Sequence, residues 1–450
     1  MDNDQVLRAA ERLGASFCDI RKDDVRQQRI RFQDGVMETL VEGSTTGHSV
    51  RVLVAGAWGF ASGQHLHGLV EKAVRLAGIQ GGRDAKLADA PVLQKQVHWV
   101  PRIDPEDIPV EEKCDLLRDL EKAVREHQQI RSVETAYSHA RINKTYCNSE
   151  GTDLAWSLPR IVAQAFFTAR DGDVASRSTR VGATKGWEAF ADEDPIEKAR
   201  LSSTATVASL GAKAAKGGKT TVVLDHELAG VFAHEAVGHA AEADLVSAGE
   251  SCFKGRIGER LGIEGLTIHD DPRLPGAFGS YPFDDNGVAA EDKVLVRDGI
   301  LAGFMADREH AGNLNIRPNG AARAEDYRSR PLVRMSNTLI DAGEQSEEEV
   351  FSGIKEGVFC KGSRGGQVDT ARGTYLFNAQ EAYRIVDGEI REPLRDVSLT
   401  GSIMETLHTI DALGDTFALG DPGYCGKGQW VPVCDGGPLV RIRDCLVGGA

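Results

Sequence analysis

The sequence predicts an α+β fold in two parts, with mixed helices and mostly antiparallel, hairpin-rich sheets. Three observations carry this. Helical and strand-like patterns are interspersed without a regular strand–helix–strand rhythm. Asp-Gly pairs stand between apolar alternations at Asp34-Gly35, Asp298-Gly299 and Asp387-Gly388, the signal of a tight hairpin. The composition turns to Ala, Gly and Lys in "SLGAKAAKGGKT" (209–220), which predicts an N-terminal α+β domain over 1–208 and a strand-rich C-terminal domain over 221–450.

The elements follow in order. "DQVLRAAERLGA" is an amphipathic helix closed by Gly14. "RQQRIRFQDGVMETLVEG" is a hairpin, and "GHSVRVLVAGAWGFAS" a second strand pair turning near Ala55-Gly56. "HGLVEKAVRLAG" returns to helix. Residues 82–108, rich in Pro, Lys and Asp, read as a loop-like connection. A long helix, "DIPVEEKCDLLRDLEKAVREHQQIR", precedes two strand-like runs. Beyond the boundary the chain is rich in Gly and in strand patterns, with a short helix in "EEEVFSGIKEG". No fixed repeat period is present.

The bulk numbers narrow the class. The chain has 450 residues, 41% apolar and 27% charged, ordinary values for a globular protein. A formal charge of -15 argues against general nucleic-acid binding and against docking on anionic lipid. The start, "MDNDQVLRAAERLGAS", has no apolar core of a signal peptide. No run approaches the ~18 apolar residues of a membrane span. These features point to a cytoplasmic protein. Its eight cysteines form no C-x-x-C pair, so most are expected as buried small side chains and not as disulfides.

One stretch carries chemistry. "TTVVLDHELAGVFAHEAVGHAAEADL" starts as a strand, and Asp225 is placed to cap a helix running through at least Val237. The apolar stripe Leu228, Val231, Phe232 continues into Glu235 and His239. A carboxylate on a buried stripe is costly unless it is paired or bound. The pattern is H-E-x-x-x-H, with His234 and His239 five apart. On an ideal helix five steps leave two side chains roughly 140° apart, so a straight helix could not grip one metal with both. A π-bulge would bring them together. So would a distortion at Gly238, whose missing Cβ permits unusual angles. Either repair fits.

The residues "HEAVGHAAEAD" resemble the signature of the TldD/PmbA family, in its metal-bearing, TldD-like branch. Later blocks resemble the family in the same order: "VLVRDGILAGFM", "PLVRMSNTLIDAG", "GGQVDTARGTYLFNAQEAYRIVDGEIREPL" and "GYCGKGQWVPVCDGGPLVRIRDCLVGG". The resemblance implies a zinc metallopeptidase acting on extended or unfolded peptides. It implies His234, His239 and Cys425 as Zn2+ ligands and Glu235 as general base. It also implies a dimer, of like chains or with a metal-free PmbA/TldE-like sister. The block "CGKGQ" is one residue shorter than the "CGKEGQ" of some members, which leaves the loop after Cys425 open. Two imidazoles and a thiolate suit zinc, and three protein ligands leave a place for water.

Other readings stand beside this one. The chain could be a non-catalytic peptide-binding or regulatory subunit. Cys434 is the alternative thiol. Glu242 and Asp244 either orient a histidine or form a solvated helix end. His226 is expected to cover the helix start and His269 to lie in a loop, while His310 and His408 have no metal-like context. "KGSRGGQVD" lacks the phosphate-loop pattern and is expected as a flexible loop bordering the peptide cleft.

Overall fold

A computed structural model describes residues 2–81 and 85–448. Part of the connection expected over 82–108, namely 82–84, lies outside the described residues, as do residue 1 and the last two residues of the expected C-terminal domain. The fold is α+β, with sheets that are mainly antiparallel.

The first half is built on one seven-stranded sheet. Its spine is the antiparallel trio Val36–Val54, Phe17–Gln33 and Ile130–Asn148, followed by Asp153–Asp171. The turns close as expected. Asp34 and Gly35 take φ 49° and 80°, and Ala55 and Gly56 take 46° and 77°, the left-handed pair that suits a two-residue hairpin. The helices Asn3–Arg12 and Leu69–Gln80 bury Val6, Ala10, Val70 and Ala73 against one end of the sheet. Val110–Val124 and Pro195–Ala208 bury Leu117, Leu120 and Ala199 against the other. The connection expected to be loop-like contains a strand, Gln94–His98, parallel to Asp153–Asp171. Its residues are nearly all exposed, so it lacks the apolar alternation that announces a strand.

The second half holds two larger sheets. In the first, Glu356–Asp369 pairs with Gly218–Leu224 and also with Thr374–Val386. The ring continues through Ser398–Ser402 and Val440–Gly448 back to Gly218–Leu224, so five strands close on themselves, while Glu389–Arg395 and Lys213–Ala214 extend the sheet beyond the ring. In the second, Asn337–Ile340 lies between Ile268–Asp270 and Trp430–Gly437. The helical segment 226–241 lies in the main apolar core between these sheets. At Gly230 a Cβ would fall 2.3 Å from Gly436 N, so only glycine lets helix and strand meet there. That contact fixes the helix against Trp430–Gly437, whose hairpin partner Gly423–Gly426 carries Cys425.

The halves are joined by buried ions. Arg51 meets Asp19 at 2.5 Å and Asn286 at 2.8 Å, and Lys144 meets Asp285 at 2.6 Å. No helix among the described residues is long and apolar enough to cross a membrane.

Candidate metal centre

Asp225 opens the helix by accepting from Leu228 N at 2.9 Å, and the same carboxylate accepts from Gly362 N at 3.0 Å. The cap therefore ties helix His226–Phe232 to the strand Glu356–Asp369. Beyond Phe232 the hydrogen bonding changes. Ala233–Gly238 is a π-helical turn, and His239–Ala241 a 3₁₀ turn. A π turn holds one more residue than an α turn, so positions five apart face the same way. The rings of His234 and His239 accordingly lie 5.4 Å apart, at 86° to one another. Gly238 has ordinary helical angles, φ -56° and ψ -58°. Its missing side chain serves space instead: a Cβ would stand 3.0 Å from Met335 Cγ and Sδ.

Cys425 arrives from the hairpin. Its Sγ is 3.3 Å from His239 Nε2, and donor atoms of His234, His239 and Cys425 all lie within 4.8 Å of one another. All three residues are buried. His234 Nδ1 is buried and has no hydrogen-bond partner. His239 is oriented by Glu242, whose Oε2 is 3.0 Å from Nδ1, leaving Nε2 to face the thiol. Glu242 is fully buried and sits 3.1 Å from Lys427 Nζ and 3.7 Å from Arg334 Nε. Arg334, also fully buried, donates to the carbonyls of Cys425 at 2.7 Å and Gln429 at 2.9 Å. Lys427 also donates to Asp244, at 2.8 Å. One acid thus holds the histidine, and one arginine holds both that acid and the backbone of the cysteine.

The electrostatics follow from this packing. Burial pushes the Cys425 thiol up, but the charge of His234 and hydrogen bonds from both imidazoles overcome it and bring the pKa down to about 4. Burial disfavours a charged His239, but the Glu242 carboxylate and the Cys425 sulfur raise its pKa to about 10. Burial likewise opposes ionisation of Glu242, yet His239 and Lys427 hold it below the usual carboxyl range. A cation bound by these donors would compete with protons for them.

Glu235 follows His234 on the π turn. Its side chain is 22% exposed, and its Oε2 lies 3.7 Å from His239 Nε2. It lines a cavity of about 210 Å³ together with His234 and Cys425. Ser363, Gly365 and Gly366 form another wall, where the pairing of Glu356–Asp369 slips between Ser363 and Gly366. The stretch expected as a flexible loop is instead part of the strand Glu356–Asp369, whose irregular pairing carries Ser363, Gly365 and Gly366 to this cavity. The first half contributes Ser178 and Arg180.

This chain has many relatives. Three family models match in turn: the PmbA/TldA metallopeptidase domain 1 over residues 18–77, the central domain over 103–217 and the C-terminal domain over 217–449. The chain belongs to the PmbA/TldD metallopeptidase family. A metalloprotease of Methanothermobacter thermautotrophicus is 40% identical over 438 residues, 96% of this chain and 95% of that protein. The zinc metalloprotease TldD homolog of Saccharolobus solfataricus is 31% identical, with 99% of each chain covered. Among solved structures, TldE from Thermococcus kodakarensis superposes with a TM-score of 0.79 over 99% of each chain at 16% identity, a likeness of fold.

The other candidate residues of this family member fall outside the three-donor group. His226 binds the carbonyl of Gly437 at 2.8 Å, at the helix start. Cys434 lies in a buried strand where burial pushes its thiol up to about 12. His269, expected in a loop, is on the strand Ile268–Asp270, which three residues are too few to announce. His310 pairs with Asp307 at 2.8 Å, and His408 binds the carbonyl of Met404 at 2.7 Å. Sequence reasoning missed Arg334 and Lys427 as supports of the centre. The available signal was a charge inside the apolar run "PLVRM" and a lysine two residues after Cys425. It also missed Glu227 and Asp435 on the cavity wall.

Proposed function

We propose that this chain is a TldD-like, zinc-dependent peptidase that cuts extended or unfolded peptides. The observation that carries the reading is the convergence of two imidazoles and a thiol beside a cavity-facing glutamate. The donor chemistry fits zinc, and the buried, partnerless His234 Nδ1 marks a position with a ligand still to gain. A zinc ion held by His234, His239 and Cys425 would supply Lewis-acid polarisation and a water of lowered pKa. Glu235 takes the proton of the attacking water and hands it to the departing amine. Glu242 fixes the ring of His239, and Arg334 fixes the backbone of Cys425.

The substrate reading is supported by the strand Gly423–Gly426. It pairs only with Trp430–Gly437 among the described residues, and its Tyr424 is exposed, which suits addition of a peptide strand along its other edge. Main-chain hydrogen bonds there give affinity without strict choice of sequence. The reading includes a division into domains 1–208 and 221–450, a cytoplasmic location, and assembly as a homodimer or with a TldE-like sister chain. The test is cleavage of an unstructured peptide by zinc-loaded wild type, Glu235→Gln and Cys425→Ala. Activity confined to wild type supports the reading, and equal activity in all three overturns it.

A further inference from the structure

The cavity beside the metal centre has an acidic wall formed by Glu227, Asp421 and Asp435. Asp421 is already neutralised. Its Oδ1 lies 2.7 Å from Lys198 Nζ, and its Oδ2 accepts from Arg180 N at 3.1 Å. Glu227 and Asp435 form no ion pair among the described residues. Glu227 accepts from Ser363 N at 3.1 Å. Asp435 is 9% exposed, and its Oδ1 is buried without a hydrogen-bond partner. Both side chains border Gly420, where a Cβ would stand 3.0 Å from Asp435 Oδ1 and 3.0 Å from Glu227 Cγ, and the Glu227 carboxylate turns toward Gly362 and Ser363. Arg180 lines the same cavity, yet pairs with neither.

Two acids buried on one cavity wall resist ionisation: burial raises Glu227 well above its ordinary range and Asp435 to about 7. A cation arriving at this wall relieves that cost. A metal ion asks for a cage of donors, and among the described residues only His234, His239 and Cys425 gather three within 4.8 Å. An ammonium group asks for two or three oxygen acceptors. The cavity, at about 210 Å³, is smaller than a drug-sized pocket of roughly 300 Å³ or more, so a group held at this wall stays close to Glu235.

We propose that Glu227 and Asp435 bind a primary ammonium group of the peptide substrate, close to the bond that is cut. The inference rests on the peptidase reading above. Two sources supply such a group: the peptide's own α-amine, which would make the enzyme trim from the amino end, and a lysine side chain.

The test is calorimetric binding to zinc-loaded Glu235→Gln protein of three probes. They are leucyl-alanyl-alanine amide, its N-acetyl derivative, and N-acetyl-lysyl-alanyl-alanine amide. An ammonium-bearing probe is expected to bind at least about tenfold tighter than the acetyl-leucyl probe. Adding Asp435→Asn or Glu227→Gln is expected to erase that difference. A preference for the first probe assigns the α-amine, and a preference for the third assigns the side chain. Equal binding of all three overturns the proposal. So does a preference that survives both added substitutions, or a second zinc equivalent that Asp435→Asn abolishes. Cleavage by wild type is scored separately. If it cuts no peptide, the peptidase reading falls while the binding comparison still decides the ammonium site. If it cuts peptides while the probes bind alike, only the ammonium site falls.

Discussion

His239 and His269 both place Nδ1 against a carboxylate: His239 lies 3.0 Å from Glu242, and His269 lies 2.7 Å from Asp292. In both, burial opposes the charge, acidic neighbours win, and the pKa rises to about 10. They part at Nε2. In His269 it meets a second carboxylate, Asp341, at 3.1 Å, and the group is closed. In His239 it faces the Cys425 sulfur, with His234 alongside and a cavity beyond. A raised histidine pKa therefore does not by itself mark a site. What marks one is a set of soft and nitrogen donors left without a closing partner.

The sharpest way to break this contrast is to remove the cavity-facing acid. Glu235→Gln is expected to lower kcat by roughly 10²–10⁴ while zinc content holds near one per chain, read by turnover alongside metal analysis. Retained turnover would put the proton transfer elsewhere. Next in size is the carboxylate behind each histidine. Glu242→Gln should weaken zinc by about 10–100-fold in a chelator competition, whereas Asp292→Asn should leave zinc affinity unchanged. Equal effects would erase the distinction between the two regions.

Smaller effects fall on stability. Asp225→Ala removes the helix cap and the tie to Gly362, and is expected to cost about 1–2 kcal/mol in denaturant unfolding. His269→Gln should cost no more than about 1 kcal/mol, because Asp341 is half exposed and solvent screens the pair. The sign is set by linkage. His269 has a folded pKa above its ordinary value of 6.5, so its contribution is full below pH ~6.5 and is lost as pH rises through about 10. Unfolding curves of wild type and variant should differ at pH 6 and converge above pH 10.

Much of the fold was legible because it is written in local chemistry. Asp-Gly at 34–35, 298–299 and 387–388 takes positive φ at every one of those residues, since only such turns match the strand twist. Asp225 caps its helix for an equally local reason. The spacing of His234 and His239 posed a geometric problem with two solutions. The chain takes the π turn, and Gly238 is there for Met335 and not for its angles. What stayed hidden depends on distant partners. Arg334 reaches Cys425 across 91 residues, and Asp435 and Glu227 share a cavity wall because Gly230 lets helix and strand touch. No local pattern encodes such meetings. The strand Gln94–His98 was hidden for the opposite reason, being too exposed to need an apolar alternation.

The account turns on whether His234, His239 and Cys425 hold one metal ion with a place left for solvent. Zinc-edge X-ray absorption on purified protein, with Cys425→Ala beside wild type, tests this directly. The account predicts about one zinc per chain, with nitrogen neighbours near 2.0–2.1 Å and a single sulfur near 2.3 Å that vanishes in the variant. Zinc bound without a sulfur neighbour, or an unchanged spectrum in Cys425→Ala, would contradict it.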